Sequence, residues 1–411
     1  MMELTTSKIN SAKATAVTPK LITFGTFAAF FLFGFVENIK GPTLPFLLND
    51  LNFSYSMGAW IMLGGSFGFL SATLSAGPLS DRIGKKAVIL MAIACLFLGM
   101  TGYSLYSSVL SLMGLMMLIG FGFGTLEVSG HLIMIDVHPI NKGRYLNLLA
   151  FFYGLGAMIA PLYAGKLLDA AFSWRRIYQL SAIPVFLLFS HFLMVKFPPK
   201  STSQSHRIDG KAIGQSAVYL KMLLFYFCIT IYVAAEIGTG TWLVEFLQKT
   251  KSQSVMMSSW FLAFFFFALT LGRLIGSFVV ERMGYYKILL YASMGATVCV
   301  AIGTFTSPAF AFFLPLSGFF FSIIFPTIAA AVSDLNKTNT GTIFGILFGF
   351  AGLGGMLGPW AIGLLSDRLG IQSGFAVVTM LGATVCSTCW LLYRLNFSFT
   401  QEGDLYHQES I

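Results

Sequence analysis

Four ionisable side chains stand inside long apolar runs of this 411-residue chain: Glu37 and Lys40 in the first run, Glu127 in the fourth and Glu236 in the seventh. At membrane depth a charge costs about 3 kcal/mol even on the mildest scales, so each is read as functional by default. Their summed formal charge of −2 is not expected to persist in a closed cavity, and one or more of the carboxylates should bind protons. Glu37 and Lys40 are three residues apart and meet on a helix, either as a static ion pair or with Lys40 released toward Glu127 or an anionic group of a bound molecule. His131, one turn beyond Glu127, can relay or tune its proton, or serve as a plain structural donor. Glu37 and Glu236 are candidates to flank one central cavity. Recognition of a small polar molecule would draw on Lys40, Asn38, Asn147, Tyr153, Tyr232, Trp242 and Trp360, although amides at mid-depth are few and most aromatic rings here must face lipid or core. His131, His138, His191, His206 and His407 form no metal-ligating or nucleophile–base spacing, so no enzyme chemistry, metal or cofactor is expected.

Composition says what carries these groups. The chain is 56% hydrophobic and 10% charged, with mean hydropathy +0.79, where a soluble domain carries about 25% charged residues. Runs of the length needed to cross a bilayer, roughly 20 residues, fall near 21–47, 55–79, 86–106, 108–136, 143–168, 176–197, 216–246, 254–280, 286–306, 308–333, 340–366 and 372–395. The expected fold is all-α, with twelve transmembrane helices in two six-helix halves. The expected organisation is an N-terminal cytosolic segment 1–20, a bundle 21–197, a cytosolic linker 198–215, a second bundle 216–395 and a cytosolic tail 396–411. Sixteen of the 25 Lys and Arg residues fall on the side of the termini and six on the other, which places both termini in the cytosol of a cell membrane. The net charge of +9 is scattered over short connections, not clustered as nucleic-acid binding requires. The first apolar run lacks a small-residue cleavage site, so no removable signal peptide is expected. Five cysteines, including the Cys386/Cys389 pair, lie in apolar stretches and are read as small hydrophobes.

The chain repeats itself. A shift of 198 residues pairs Gly120 with Gly318, Asp136 with Asp334, Asn141 with Asn339, Gly143 with Gly341, Gly156 with Gly354, Pro161 with Pro359 and Asp169 with Asp367. Chance similarity of apolar helices would match Leu and Phe, not Gly, Pro, Asn and Asp. Six spans per half make the repeats parallel. Between spans two and three stands Gly77-Pro78-Leu79-Ser80-Asp81-Arg82-Ile83-Gly84-Lys85-Lys86, and a weaker copy, Glu281-Arg282-Met283-Gly284 with Lys287, follows 200 residues later. This resembles the cytoplasmic loop signature of the major facilitator superfamily. Gly77 is expected to let helices approach, Asp81 to accept from a helix N-terminus, and Arg82 and Lys85 to meet carboxylates or anionic lipid. With Gly84, Arg273, Glu281 and Arg282 they form the expected cytosolic gate. Asp169, Trp174 and Arg175 look like a structural turn, repeated at Asp367.

Within the superfamily, Gly124-Thr125-Leu126-Glu127, the stretch around Glu236 and Ile324-Phe325-Pro326 resemble spans four, seven and ten of the fucose/glucose-type proton symporters. The resemblance implies alternating access around a midplane site and a proton-coupling role for Glu127. That family's further first-span acid aligns with Gly41, one turn after Glu37, so fucose recognition does not transfer simply. The expectation is proton-coupled uptake of a small polar solute, a monosaccharide first. The alternatives are a proton-coupled antiporter of lipophilic cations and a nontransporting receptor on the same fold. The expected partners are that solute, protons and the lipid bilayer, with the chain a monomer.

Overall fold

In the computed structural model the backbone is described for residues 2–140, 142–197, 216–335 and 340–408. The linker expected at 198–215 lies outside these, as do Asn141 and Asn339, and the side chain of Glu281 is likewise outside. Thirteen α-helices follow in order among the described residues: α1 (Met2–Asn38), α2 (Lys40–Asp50), α3 (Tyr55–Ile83), α4 (Lys85–Tyr103), α5 (Val109–Val137), α6 (Lys142–Asp169), α7 (Trp174–Met194), α8 (Ser216–Lys251), α9 (Val255–Met283), α10 (Tyr285–Phe305), α11 (Phe313–Leu335), α12 (Thr340–Leu369) and α13 (Ile371–Gln408). Twelve segments among the described residues are long and apolar enough to cross a bilayer. Their apolar windows are only 39–56% buried, and the rest shows side chains such as Phe24, Leu74 and Leu110. A surface that apolar is compatible with lipid and not with water.

The first span consists of two helices, α1 and α2, parted at Ile39. The cause is local. Pro42 has no N–H to offer the carbonyl of Asn38 four residues back, and its ring crowds that carbonyl. The break therefore falls among Glu37, Asn38 and Lys40, at the depth where irregular backbone is tolerated only inside protein or along a cavity.

Contacts divide the chain into two units, residues 1–46 with 60–205, and residues 47–59 with 206–411. In the first, α1 lies along α6 and α5, and α4 packs on α5 and α7; in the second, α8 lies along α12 and α13, while α11 packs on α9 and α10. Each unit closes its helix ends in the same way. Arg175 donates to the carbonyls of Ser104 (3.1 Å) and Tyr106 (2.9 Å) just beyond α4, and Lys251 to those of Thr304 (3.0 Å) and Thr306 (2.6 Å) at the end of α10. A cation there satisfies orphan carbonyls and the negative end of the helix dipole. Lys86 does the same at the end of α7, reaching the carbonyls of Leu193 (2.9 Å) and Val195 (2.8 Å). Ser108, Ser173 and Ser254 cap the starts of α5, α7 and α9 through their side chains, as N-cap serines do.

Candidate functional site

In the first unit, α1 and α6 approach until backbone meets backbone. A methyl group on Gly34 would collide with the carbonyl of Tyr153, and one on Gly156 with that of Phe31. This contact brings the Tyr153 hydroxyl 2.7 Å from Glu37 Oε2, to which it donates. Lys40, across the break, holds Glu37 Oε1 at 3.7 Å, and the two side chains are each 22% exposed. Asn38 donates its amide to the Gly34 carbonyl at 2.8 Å and lies beside the Tyr153 hydroxyl. Phe33 packs edge-on against the Tyr153 ring (4.9 Å) and is itself backed by Phe123, on which it stacks (4.9 Å).

Glu127 reaches this cluster from α5 and is in electrostatic range of both Glu37 and Tyr153. Alternating glycines set its helix: Gly120 and Gly124 abut α3 at Gly65 and Phe69, and Gly122 abuts α4 at Ala92. His131 does not complete a relay. Its Nδ1 lies 2.7 Å from the main-chain carbonyl of Glu127, and since a carbonyl only accepts, that nitrogen carries the proton. The ring meets Phe30 edge-on at 5.2 Å, and no bond to the Glu127 carboxylate is made among the described residues.

The second unit builds a different cluster on α8, which runs unbroken. Tyr232 donates its hydroxyl to Glu236 one turn along, and Arg273 of α9 holds the other oxygen of Glu236 at 4.0 Å. Arg273 is thus placed at the mid-span acid and not at the cytosolic mouth where its position in the sequence had put it. The position 198 residues after Glu127 is Phe325, so this unit has no counterpart of that acid.

Other expected residues fall away from these clusters. Trp242 is fully buried and gives its indole N–H to the Pro359 carbonyl at 2.9 Å, which leaves it no free edge for a solute. Asn147 is exposed on α6, and Trp360 is half-buried on α12. On the expected cytosolic face, Lys85 pairs with Asp136 and donates to the Leu132 carbonyl, while Asp81, Arg82 and Arg282 are exposed. Gly77 marks no close approach, because a methyl group there would meet nothing within 4 Å. Gly84 and Gly284 instead use glycine's freedom for a turn, at φ 87° and 76°. The buried acid Glu245, 3% exposed on α8, was missed because it stands one residue from the expected end of its span.

Comparison with known proteins fits this architecture. The family profile of the Major Facilitator Superfamily matches residues 26–248 and 225–399. A glucose/galactose transporter of Brucella abortus biovar 1 (strain 9-941) is 27% identical over 366 residues, covering 84% of this chain and 88% of the relative. Among solved structures, the nucleoside transporter NupG superposes with a TM-score of 0.77 at 15% identity, covering 91% of this chain and 99% of that one. The E. coli fucose:proton symporter FucP superposes with a TM-score of 0.59 at 18% identity, with the same two coverages. With the profile spanning nearly the whole chain, twelve spans and two helical units, this protein belongs to the Major Facilitator Superfamily and is a membrane transporter, not an enzyme.

Proposed function

We propose that this transporter carries a monosaccharide together with protons, inward, with both termini in the cytosol of the cell membrane. The observation that carries the proposal is the first-unit cluster, in which a carboxylate at a helix break is held by a phenol and an ammonium with a second acid in range. Such a set offers a sugar hydroxyl both donors and acceptors, as polyol recognition needs. The relative named as a glucose/galactose transporter supports the sugar, and the structural neighbour named as a fucose:proton symporter supports the proton. Glu127 takes and releases the proton, and Glu37, Asn38, Lys40 and Tyr153 meet the sugar. Asp81, Arg82, Lys85 and Arg282 latch the cytosolic side, and the chain works as a monomer.

The test uses purified protein in sealed proteoliposomes with an imposed inward proton gradient and labelled D-glucose and D-galactose, beside tetraphenylphosphonium as a lipophilic cation. Gradient-dependent accumulation of a hexose is the expected result. Silence with both hexoses and gradient-driven movement of the cation in the opposite direction would replace uptake with antiport.

A further inference from the structure

The end of α12 carries Gly363-Leu364-Leu365-Ser366-Asp367-Arg368-Leu369-Gly370, which agrees with Gly77–Gly84 at the end of α3 in six of eight residues. The local geometry agrees as well. Gly370 (φ 82°) and Gly84 (φ 87°) are both left-handed, and each donates its N–H to the carbonyl of the serine four residues back at 3.0 Å. α3 is the second span and α12 the eleventh, so the two copies end on opposite faces, and the α12 copy lies on the face away from the termini.

There the Asp367 carboxylate accepts the main-chain N–H groups of Tyr55 (2.6 Å) and Ser56 (2.8 Å), the first two residues of α3. These are two of the donors that a helix start leaves without intrahelical acceptors, at the positive end of the helix dipole. The Tyr55 hydroxyl donates to Glu245 Oε1 at 2.8 Å, and Glu245 Oε2 has no hydrogen-bond partner among the described residues. The Tyr55 ring stands edge-on to Trp242 at 5.8 Å. Gly363 makes room, since a methyl group there would sit 2.9 Å from the Tyr55 carbonyl.

Residues 47–59 belong by contact to the second unit, although the chain on either side belongs to the first. We infer that Asp367 and Glu245 form a releasable clasp on the first turn of α3, and that the face opposite the termini opens only when this clasp lets go. Charge-assisted bonds give it strength, and the exposure of Asp367 lets water replace its two donors on release. The inference stands on these contacts and not on the identity of the solute.

Double electron–electron resonance in nanodiscs tests it, on full-length chain with its five cysteines replaced by alanine and spin labels on Met57→Cys and Gln372→Cys, both exposed positions. Asp367→Ala should raise the long-distance population about three- to thirtyfold, the range a lost helix cap gives. Tyr55→Phe, which retains both amide bonds, should raise it less, and Arg368→Ala should leave it unchanged. If Asp367→Ala does not fold, Asp367→Asn, with one acceptor oxygen left, should give a smaller shift of the same sign. Parental distance distributions in the Asp367 and Tyr55 variants, with or without a lower melting temperature, would overturn the clasp and make Asp367 a static cap.

Discussion

The two units place a carboxylate, a tyrosine and a cation together, but by different means. In the first, Glu37 and Lys40 straddle a helix break and their phenol comes from α6. In the second, Glu236 and Tyr232 share one unbroken helix and the cation comes from α9. The first cluster also has a second acid, Glu127, where the second unit has Phe325. A gene-duplicated scaffold keeps its glycines and prolines, which decide how helices pack, while its ionisable groups diverge. On the proposed function, the proton chemistry is assigned to the first unit, whose cluster has the second acid.

Four substitutions sharpen or break this contrast. Glu37→Ala should have the largest effect, because it strands Lys40 and the Tyr153 hydroxyl, and D-glucose affinity should fall by about a hundredfold; a change below threefold in equilibrium binding would remove Glu37 from the site. Tyr153→Phe removes one bond to a charged group and should cost about tenfold in the same assay, with Tyr232→Phe costing less. Pro42→Ala restores the missing N–H and should raise the melting temperature in detergent while slowing exchange by about threefold or more, if the break is a moving part. Equal exchange rates would make the break a passive feature. Arg273→Ala should be mildest, below about threefold, since Arg273 is 46% exposed and its pair with Glu236 is solvent-screened.

Much of this was legible in the sequence. The spans and the repeat follow from apolar run lengths and from glycines and prolines in register, signals that need no knowledge of neighbours. Glu37, Glu127 and Glu236 stood out because a charge in an apolar run is conspicuous on its own. The partners did not. Arg273 read as a gate residue because one helix's sequence does not say which neighbouring helix it faces, and Trp242 read as a ligand because its bond to the Pro359 carbonyl is made 117 residues away. For His131 both a relay and a plain structural donor stayed open, because spacing shows that two residues share a face but not that the ring bonds to the main chain. The Gly41-Pro42 pair was visible, yet its consequence, a break set among the three polar residues, emerges only with the helix.

The most direct measurement compares Glu127→Gln with Glu236→Gln in sealed proteoliposomes, following D-glucose accumulation under an inward proton gradient and D-glucose exchange without one. Glu127→Gln should lose accumulation by more than about tenfold while retaining exchange, because exchange uses the site without the proton cycle, and Glu236→Gln should still accumulate. Accumulation that survives Glu127→Gln, or that Glu236→Gln abolishes with exchange intact, would contradict the assignment of proton coupling to the first unit.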